Sequence, residues 1–86
     1  MNKFEAAKRN IELELQQLLK QYDHILNFTN LEHATGITQS MLSQHKTGRR
    51  KLSVNDSLAL CAYLQKLMTS IHQCLNNISD NFKTLE

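Results

Sequence analysis

Apolar residues in the first third of the chain recur at spacings of three and four, which is the repeat of one helix face. This row predicts a long N-terminal helix over residues 4 to about 26, ending at Asn27. Leu13, Leu19 and Leu26 widen the face, which indicates contact with more than one neighbouring element. The members of the row are Phe4, Ala7, Ile11, Leu15, Leu18, Tyr22 and Ile25.

The same spacing returns without a miss in the last third of the chain, from Cys61 through Leu64, Met68, Ile71, Leu75, Ile78 and Phe82 to Leu85. It favours one long helix that begins after Ser53, which can cap it ahead of Asp56 in its first turn. A break at Thr69-Ser70 is the alternative, because Ser70 and Gln73 can cap a fifth helix. The early apolar residues of this helix are expected to pack against the preceding short helices; they are Leu58, Leu60, Cys61 and Leu64.

The middle of the chain contains both of its glycines. Thr29 and Glu32 have the spacing of a capping box, with Thr29 as the N-cap. This pattern predicts a second, very short helix over residues 30–35, which Gly36 ends by taking a left-handed conformation.

A third helix is predicted over Gln39–Lys46, with Thr38 as its N-cap and Gly48 closing it. Only three residues separate it from the second helix, which is the arrangement of a helix-turn-helix unit. Amides and hydroxyls lie on one face of this helix. A short helix of that kind can reach base edges in the major groove of DNA.

The composition predicts an all-α fold in a single domain. A chain of 86 residues can bury one modest core. It has no proline and only two glycines, whereas a sheet protein of this size would need several turns. We therefore expect a small helical bundle with a central helix-turn-helix between a long N-terminal and a long C-terminal helix. Its three parts are residues 1–27, 28–52 and 53–86.

The net charge of +2 is unevenly distributed. Between Glu32 and Asp56 there are four cations and no acid, whereas the rest of the chain has six cations against eight anions. Because the cations lie at or just after the end of the third helix, they favour a nucleic-acid footprint over a merely solvated face. The four cations are Lys46, Arg49, Arg50 and Lys51.

Residues 28–64, somewhat under half the protein, resemble the Cro/repressor-type helix-turn-helix family of phage and bacterial regulators. The match is closest over residues 36–43 (Gly-Ile-Thr-Gln-Ser-Met-Leu-Ser), 47–53 (Thr-Gly-Arg-Arg-Lys-Leu-Ser) and 58–64 (Leu-Ala-Leu-Cys-Ala-Tyr-Leu). The resemblance implies a compact helical bundle, dimeric binding to inverted-repeat operators and usually repression. It also implies that bases are read by Gln39, Ser40, Ser43 and Gln44, with Thr38 and Thr47 near phosphates.

The sequence departs from the family pattern at three positions. Glu32 stands where a small alanine is usual, and Thr35 where a larger apolar residue is common. His45 takes a core position that is usually apolar. We expect His45 to be half-buried, and its protonation in a DNA interface would add charge at mildly acidic pH.

The residue types support these roles beside the resemblance. A glutamine amide can pair bidentately with adenine, so Gln39 and Gln44 are the leading base readers; decoration of a solvated helix is their alternative role. The cations that follow the helix suit phosphates better than bases. The candidate base-contacting residues are Gln39, Ser40, Ser43 and Gln44. The candidate DNA-backbone residues are Thr38, Lys46, Thr47, Arg49, Arg50 and Lys51.

The heptad row of the last helix has no obvious partner in so short a chain, except the stripe of the first helix at Ile11, Leu15, Leu18 and Tyr22. Packing the two stripes across a two-fold axis would bury both, and would set two recognition helices about 34 Å apart. The alternative is that the row belongs to an internal core. The predicted dimer interface consists of Met68, Ile71, Leu75, Ile78, Phe82 and Leu85.

Other classes of protein need residues that this sequence lacks. It has no phosphate-binding glycine loop and no Ser/His/Asp set, so enzymatic activity is not expected. His72 and Cys74 diverge around a helix, so neither a metal nor another cofactor is expected. No apolar run is long enough for a membrane span and the first five residues lack a signal-peptide core, which together predict a cytoplasmic protein with reduced thiols.

These patterns together predict a homodimeric, sequence-specific DNA-binding transcriptional regulator, a repressor of the phage or mobile-element kind. Its expected partner is double-stranded DNA with an inverted repeat. The alternative is a helical protein-interaction module or an antitoxin-like protein, whose terminal apolar stripes bind a partner protein.

Overall fold

The structure of the protein, a computed structural model, describes residues 2–85 and contains four α-helices over that range. They are α1 (Lys3–Tyr22), α2 (Phe28–Thr35), α3 (Gln39–Lys46) and α4 (Val54–Thr84). Residues 2–85 contain no strand. The all-α class predicted from the scarcity of turn residues is confirmed.

The caps of α3 and α4 are the ones that the sequence predicts. The Thr38 hydroxyl accepts a hydrogen bond from the Met41 N–H (3.1 Å), and the Ser53 hydroxyl accepts one from the Asp56 N–H (3.0 Å). Each satisfies an N–H that has no carbonyl partner in the first turn of its helix. Because these bonds join residues only three apart, local sequence is enough to predict them.

The predicted start of α2 is wrong. Its N-cap is Asn27, whose side-chain oxygen accepts hydrogen bonds from the N–H groups of Thr29 (2.9 Å) and Asn30 (3.2 Å). One amide oxygen thereby satisfies two free N–H groups, so the helix begins two residues earlier than a cap at Thr29 would allow.

The predicted end of α1 near residue 26 is also wrong. The helix ends at Tyr22, whose carbonyl oxygen accepts hydrogen bonds from the N–H groups of Ile25 (2.9 Å) and Leu26 (2.8 Å) in the turn that follows.

A core of seven buried apolar side chains joins the four helices and the linkers between them. Leu19 of α1 is fully buried, although the predicted main face of α1 did not include it. The ends of that predicted face are exposed, because Phe4 lies in the first turn of α1 and Ile25 lies in the turn after α1 has ended. The core consists of Leu15, Leu19, Leu31, Ile37, Leu42, Leu52 and Leu60.

The single long C-terminal helix is confirmed, since α4 runs through Thr69 and Ser70 without a break. In its first half Leu60 is buried, and Cys61 and Leu64 pack against the core as predicted. Leu58 is exposed, contrary to the prediction. Side chains two positions apart lie about 200° apart around a helix, so Leu58 and Leu60 cannot share a face.

The second half of α4 extends beyond the rest of the molecule. Every residue from 68 to 85 is exposed, and we call this segment the C-terminal tail. The radius of gyration is 16.2 Å, whereas a compact domain of this length has one of about 12 Å. Within residues 2–85, no helix combines the length and the apolar character needed to cross a membrane.

Candidate nucleic-acid interface

The turn between α2 and α3 holds the two helices in a defined arrangement. Gly36 adopts φ +78°, and its N–H donates to the Glu32 carbonyl oxygen (2.8 Å), which ends α2 in the predicted left-handed conformation. The next residue, Ile37, is buried in the core. The linker is therefore anchored from both sides, by the glycine conformation and by apolar packing.

Glu32 and Thr35, two of the residues that depart from the family pattern, form hydrogen bonds at this turn. The Glu32 carboxylate accepts a hydrogen bond from the Gln39 N–H (3.3 Å), which joins α2 to the first residue of α3. The Thr35 hydroxyl donates to the Leu31 carbonyl oxygen (2.6 Å) and accepts from the Ile37 N–H (3.2 Å). The departures are therefore compatible with a helix-turn-helix, because each supplies a contact within it.

One face of α3 is polar, uncharged and directed to solvent. Gln39, Ser40 and Ser43 are exposed, and Gln44 is half-buried with its amide donating to the Ser40 hydroxyl (3.2 Å). The opposite face carries Leu42, which is fully buried. All four candidate base-reading residues thus share the outward face, where amides and hydroxyls are available as donors and acceptors.

The chain turns sharply where α3 ends. Gly48 adopts φ +82°; its N–H donates to the His45 carbonyl oxygen (3.1 Å), and the Arg49 N–H donates to the Gln44 carbonyl oxygen (2.8 Å). These two bonds form a Schellman motif. A Cβ at residue 48 would lie 3.0 Å from the Gln16 side-chain nitrogen, so α1 approaches this turn closely.

The third departure, His45, is a core residue. It is 3% exposed, so the expectation of a half-buried ring in a DNA interface is wrong. Its Nδ1–H donates to the Arg50 carbonyl oxygen (2.8 Å), because a carbonyl oxygen can only accept. Nε2 has no hydrogen-bond partner within residues 2–85. His45 therefore positions the backbone of the basic run from inside the core.

The candidate phosphate-binding cations differ in whether they already pair with a carboxylate. Arg49, Arg50 and Lys51 are exposed, and within residues 2–85 none of them pairs with a carboxylate. Lys46 is different, because its Nζ donates to the Asp23 carboxylate (3.0 Å) and lies 6.0 Å from the centre of the Phe28 ring. The hydrogen bond from Lys46 holds the pKa of Asp23 below its ordinary value.

The two candidate threonines already use their hydroxyl groups locally. The Thr47 hydroxyl donates to the carbonyl oxygens of Ser43 (3.3 Å) and Gln44 (3.1 Å), so its proton is engaged. Thr38 uses its oxygen as the cap of α3 and keeps its proton available to a phosphate.

Two cations that the sequence pattern does not single out, Lys8 and Arg9, lie beside the basic run. A groove of about 510 Å³ separates α1 from the α3–α4 connection, with Lys8 and Arg9 on one side and Arg50 and Lys51 on the other. Glu5 and Glu12 also line this groove. Along the chain Lys8 and Arg9 alternate with those acids as any solvated helix surface does. Only the packing of α1 on α3 brings them next to the basic run.

Half of the predicted partner stripe on α1 is not available to a second copy, whereas Ile11 and Tyr22 of that stripe are exposed. Leu15 is buried in the chain's own core, and Leu18 packs against that core. By contrast, all six residues of the predicted dimer interface, from Met68 to Leu85, are exposed.

Comparison with known proteins gives no further guide: no family model, no curated protein and no solved structure matches this chain. Within residues 2–85, no three histidine, cysteine or acidic side chains lie close enough together to hold a metal ion.

Proposed function

We propose that this chain is a sequence-specific DNA-binding transcriptional regulator of the Cro/repressor kind, a homodimeric repressor from a phage or mobile element. The observation that carries the proposal is the outward face of α3. It is short, uncharged and rich in amides and hydroxyls, and an exposed basic run follows it directly. A helix with these properties suits the major groove, where amides pair with base edges and flanking cations contact phosphates.

The proposed mechanism divides specificity from affinity. Gln39 and Gln44 pair with adenines, and Ser40 and Ser43 contact neighbouring base edges. The hydrogen bond from the Gln44 amide to the Ser40 hydroxyl restricts the Gln44 side chain before DNA arrives.

Affinity comes from the cations around the recognition helix. Arg49, Arg50 and Lys51 contact phosphates on one side, and Lys8 and Arg9 of α1 extend the same cationic surface. Two copies joined through their tails would read the two halves of an inverted repeat, because the symmetry of the protein is then matched by that of the DNA.

The proposal is tested by selecting bound sequences from a random pool of double-stranded DNA. A dimeric regulator should enrich a palindrome whose half-sites are centred one helical turn apart, about 34 Å. Recovery of sequences with no shared motif, or no retention of DNA at low salt, would contradict the proposal.

The base-reading role predicts a loss that depends on DNA sequence. Gln39→Ala or Gln44→Ala should weaken binding to the selected site by roughly 1–3 kcal/mol, with little change on random DNA, because the lost hydrogen bonds are to bases. Gel-shift titrations on both DNAs measure this. Gln73→Ala, an exposed glutamine in the tail, is the control. An equal loss on both DNAs would assign these glutamines to the DNA backbone or to folding.

A second function, a protein-interaction module or antitoxin-like protein, is favoured by the exposed apolar tail. Large exposed apolar surfaces commonly mark protein interfaces. Salt separates the two functions, because counterion release makes DNA binding fall steeply with salt, whereas binding through an apolar surface does not. The two functions are compatible in one protein if the tail binds a partner while α3 binds DNA.

A further inference from the structure

A second apolar surface lies at the base of the C-terminal tail. It is a groove of about 170 Å³ between α1 and the first half of α4, and we call it the apolar groove. Two of its side chains, Val54 and Leu58, are 47% and 68% exposed. Leu52 and Ser57 are buried at the same site. The groove is lined by Lys8, Ile11, Leu52, Val54, Ser57, Leu58 and Cys61.

The groove and the tail belong to one continuous strip. Cys61 lines the groove and is also the first member of the heptad row that continues through Met68 and Leu75. The charged residues of α4 beyond Cys61, which are Lys66, Asp80 and Lys83, fall outside this row. The row itself therefore carries no charge that would repel a second copy of it, and Lys8 is the one charged residue among the described residues that line the groove.

We infer that two copies of this chain pair through antiparallel C-terminal tails, so that the end of each tail reaches the apolar groove of the other copy. The inference rests on the dimer of the proposed function and specifies its geometry. Its occupant is a second copy and not an unrelated protein, because the strip is complementary to itself when reversed.

The complementarity follows from the residue numbers. Two antiparallel helices pair residues whose numbers have a constant sum, and a sum of about 146 matches every member of the row with another member. The row and its reverse then interlock over its whole length, with the two-fold axis near residue 73. The resulting pairs are Cys61 with Leu85, Leu64 with Phe82, Met68 with Ile78, and Ile71 with Leu75.

The half-buried start of the row argues against a parallel pair. Cys61 and Leu64 are partly covered by the core, so a parallel pair would set each of them against its own partly covered copy, whereas the antiparallel pair sets them against the exposed Leu85 and Phe82. In a parallel pair both apolar grooves would stay open to solvent. Moreover, parallel two-stranded coiled coils favour isoleucine at heptad position a and leucine at position d. Here the reverse holds, with Leu75 at position a and isoleucines 71 and 78 at position d. In the antiparallel arrangement Leu85 arrives beside Cys61, at the groove.

The antiparallel arrangement also holds the two DNA-binding parts apart, at a separation of the same order as the spacing of DNA grooves. With the axis near residue 73, the two copies of Cys61 lie about 36 Å apart along the paired helices, at about 1.5 Å per residue. Successive major grooves on one face of DNA are about 34 Å apart. Since α3 packs on α1 and α2 within residues 2–85, it stays clear of the paired tails.

Distances between spin labels test the orientation. One label is placed on Cys74 in a Cys61→Ala variant, and the other on Lys83→Cys in a variant whose two natural cysteines are alanine. Antiparallel tails should give a short distance between the two labels at 74, next to the axis, and one of about 30 Å or more at 83. Similar distances at both positions would mean parallel tails and overturn the inference. So would the absence of any coupling, or a monomer in sedimentation at tens of micromolar.

The groove is tested separately with two leucines that are exposed in the single chain. Leu58→Asp places a charge in the apolar groove and should shift the dimer to monomer at concentrations where the wild type is dimeric. Leu13→Asp changes a leucine of α1 that lies outside the apolar groove and should leave the dimer intact. Equal sedimentation of the Leu58→Asp variant and the wild type would overturn the role of the groove.

These experiments use no DNA, so their outcome is independent of the proposed function. A chain that selects a palindrome but has parallel tails would keep the function and lose the inference. A chain with antiparallel tails that retains no DNA would do the reverse.

Discussion

The side chain of Lys46 shows how neighbouring residues determine whether a cation is available to bind phosphate. It lies at the end of the recognition helix, where a cation should meet phosphate. In the free protein its ammonium group is instead bound to Asp23, 3.0 Å away, across from the end of α1. Both groups are partly exposed, so this ion pair contributes little to stability. If the chain binds DNA as proposed, the main effect of this ion pair is on binding, because Asp23 would repel DNA and occupies Lys46.

Removing this acid should strengthen DNA binding. Asp23→Asn frees Lys46 and removes one negative charge near the interface, so affinity for both specific and random DNA should rise. The salt dependence should steepen by up to about 0.9 in slope if Lys46 then contacts a phosphate. Gel shifts across a range of salt concentrations measure both quantities.

The matched control for that prediction is Asp80→Asn, which removes an exposed acid near the end of the tail. It should leave DNA affinity almost unchanged. If both variants raise affinity equally, the effect of Asp23 is only that of net charge, and Lys46 does not reach the DNA.

His45 acts at the same scale but through the backbone. Its ring is buried, and its Nδ1–H holds the carbonyl oxygen of Arg50. The side chain of Arg50 is thereby left free for solvent or DNA while its backbone is tied to the core. A histidine in an otherwise apolar position is explained by this bond.

At the scale of elements, the end of α3 determines where the basic run points. The Schellman motif at Gly48 reverses the chain, and the leucine that follows the run, Leu52, is buried. The three cations between these two fixed points therefore form a short exposed arch beside the groove of α1. An arch that carries three cations and no acid suits the phosphates next to the major groove.

Neutralising part of this arch should reduce affinity without changing specificity. Arg49→Ala combined with Arg50→Ala should weaken binding to all DNA and flatten the salt dependence by about 0.9 in slope for each lost phosphate contact. The ratio between specific and random DNA should stay the same. Gel shifts on both DNAs at several salt concentrations measure this. Lys66→Ala combined with Lys83→Ala removes the same charge from α4, and equal effects of the two double variants would contradict a local role for the arch.

At the scale of the whole molecule, the C-terminal tail dominates the shape. The molecule is 56 Å long, and α4 alone accounts for most of that length. Fully burying a side chain the size of leucine or phenylalanine is favourable by about 1.5–3 kcal/mol. The tail leaves six such residues in solvent, so its association with another surface is strongly favoured. They are Met68, Ile71, Leu75, Ile78, Phe82 and Leu85.

Charges placed in the apolar row should separate the two copies without unfolding either one. Ile71→Asp combined with Ile78→Asp puts unpaired charges in the seam of the dimer, which is strongly unfavourable. Both isoleucines are exposed in the single chain, so the core is not disturbed and the monomer should remain helical. Sedimentation should show a monomer, circular dichroism should show retained helix, and binding to the palindrome should fall towards that of a half-site.

Gln73→Asp combined with Asn77→Asp adds the same charge to residues of the tail that lie outside the row, and should leave the dimer intact. If the isoleucine variant remains a dimer, the tail is not its interface.

A feature of this protein can be predicted from its sequence when it depends on residues that are close to one another along the chain. The ends of α3, the start of α4 and the left-handed glycines at 36 and 48 were predicted correctly. Each depends on bonds between residues within about five positions of one another. The continuity of α4 was also predicted, because an unbroken helical repeat over so many turns favours one helix more strongly than the single capping pattern at Ser70 favours a break. The cap of α2 was missed because Asn27 and Thr29 are both good caps, and the choice depends on where α1 must end.

Only the tertiary structure decided which faces are covered. The burial of Leu19, the exposure of Leu58 and the capture of Lys46 by Asp23 all depend on contacts between segments far apart in the sequence. The same holds for Lys8 and Arg9, which join the basic run only because α1 packs beside it. Periodicity shows that a helix has an apolar face. In α1 and α4, however, more than one face is apolar enough to be the one buried in the core. The choice among them is made by the volume that four helices and their linkers can fill together.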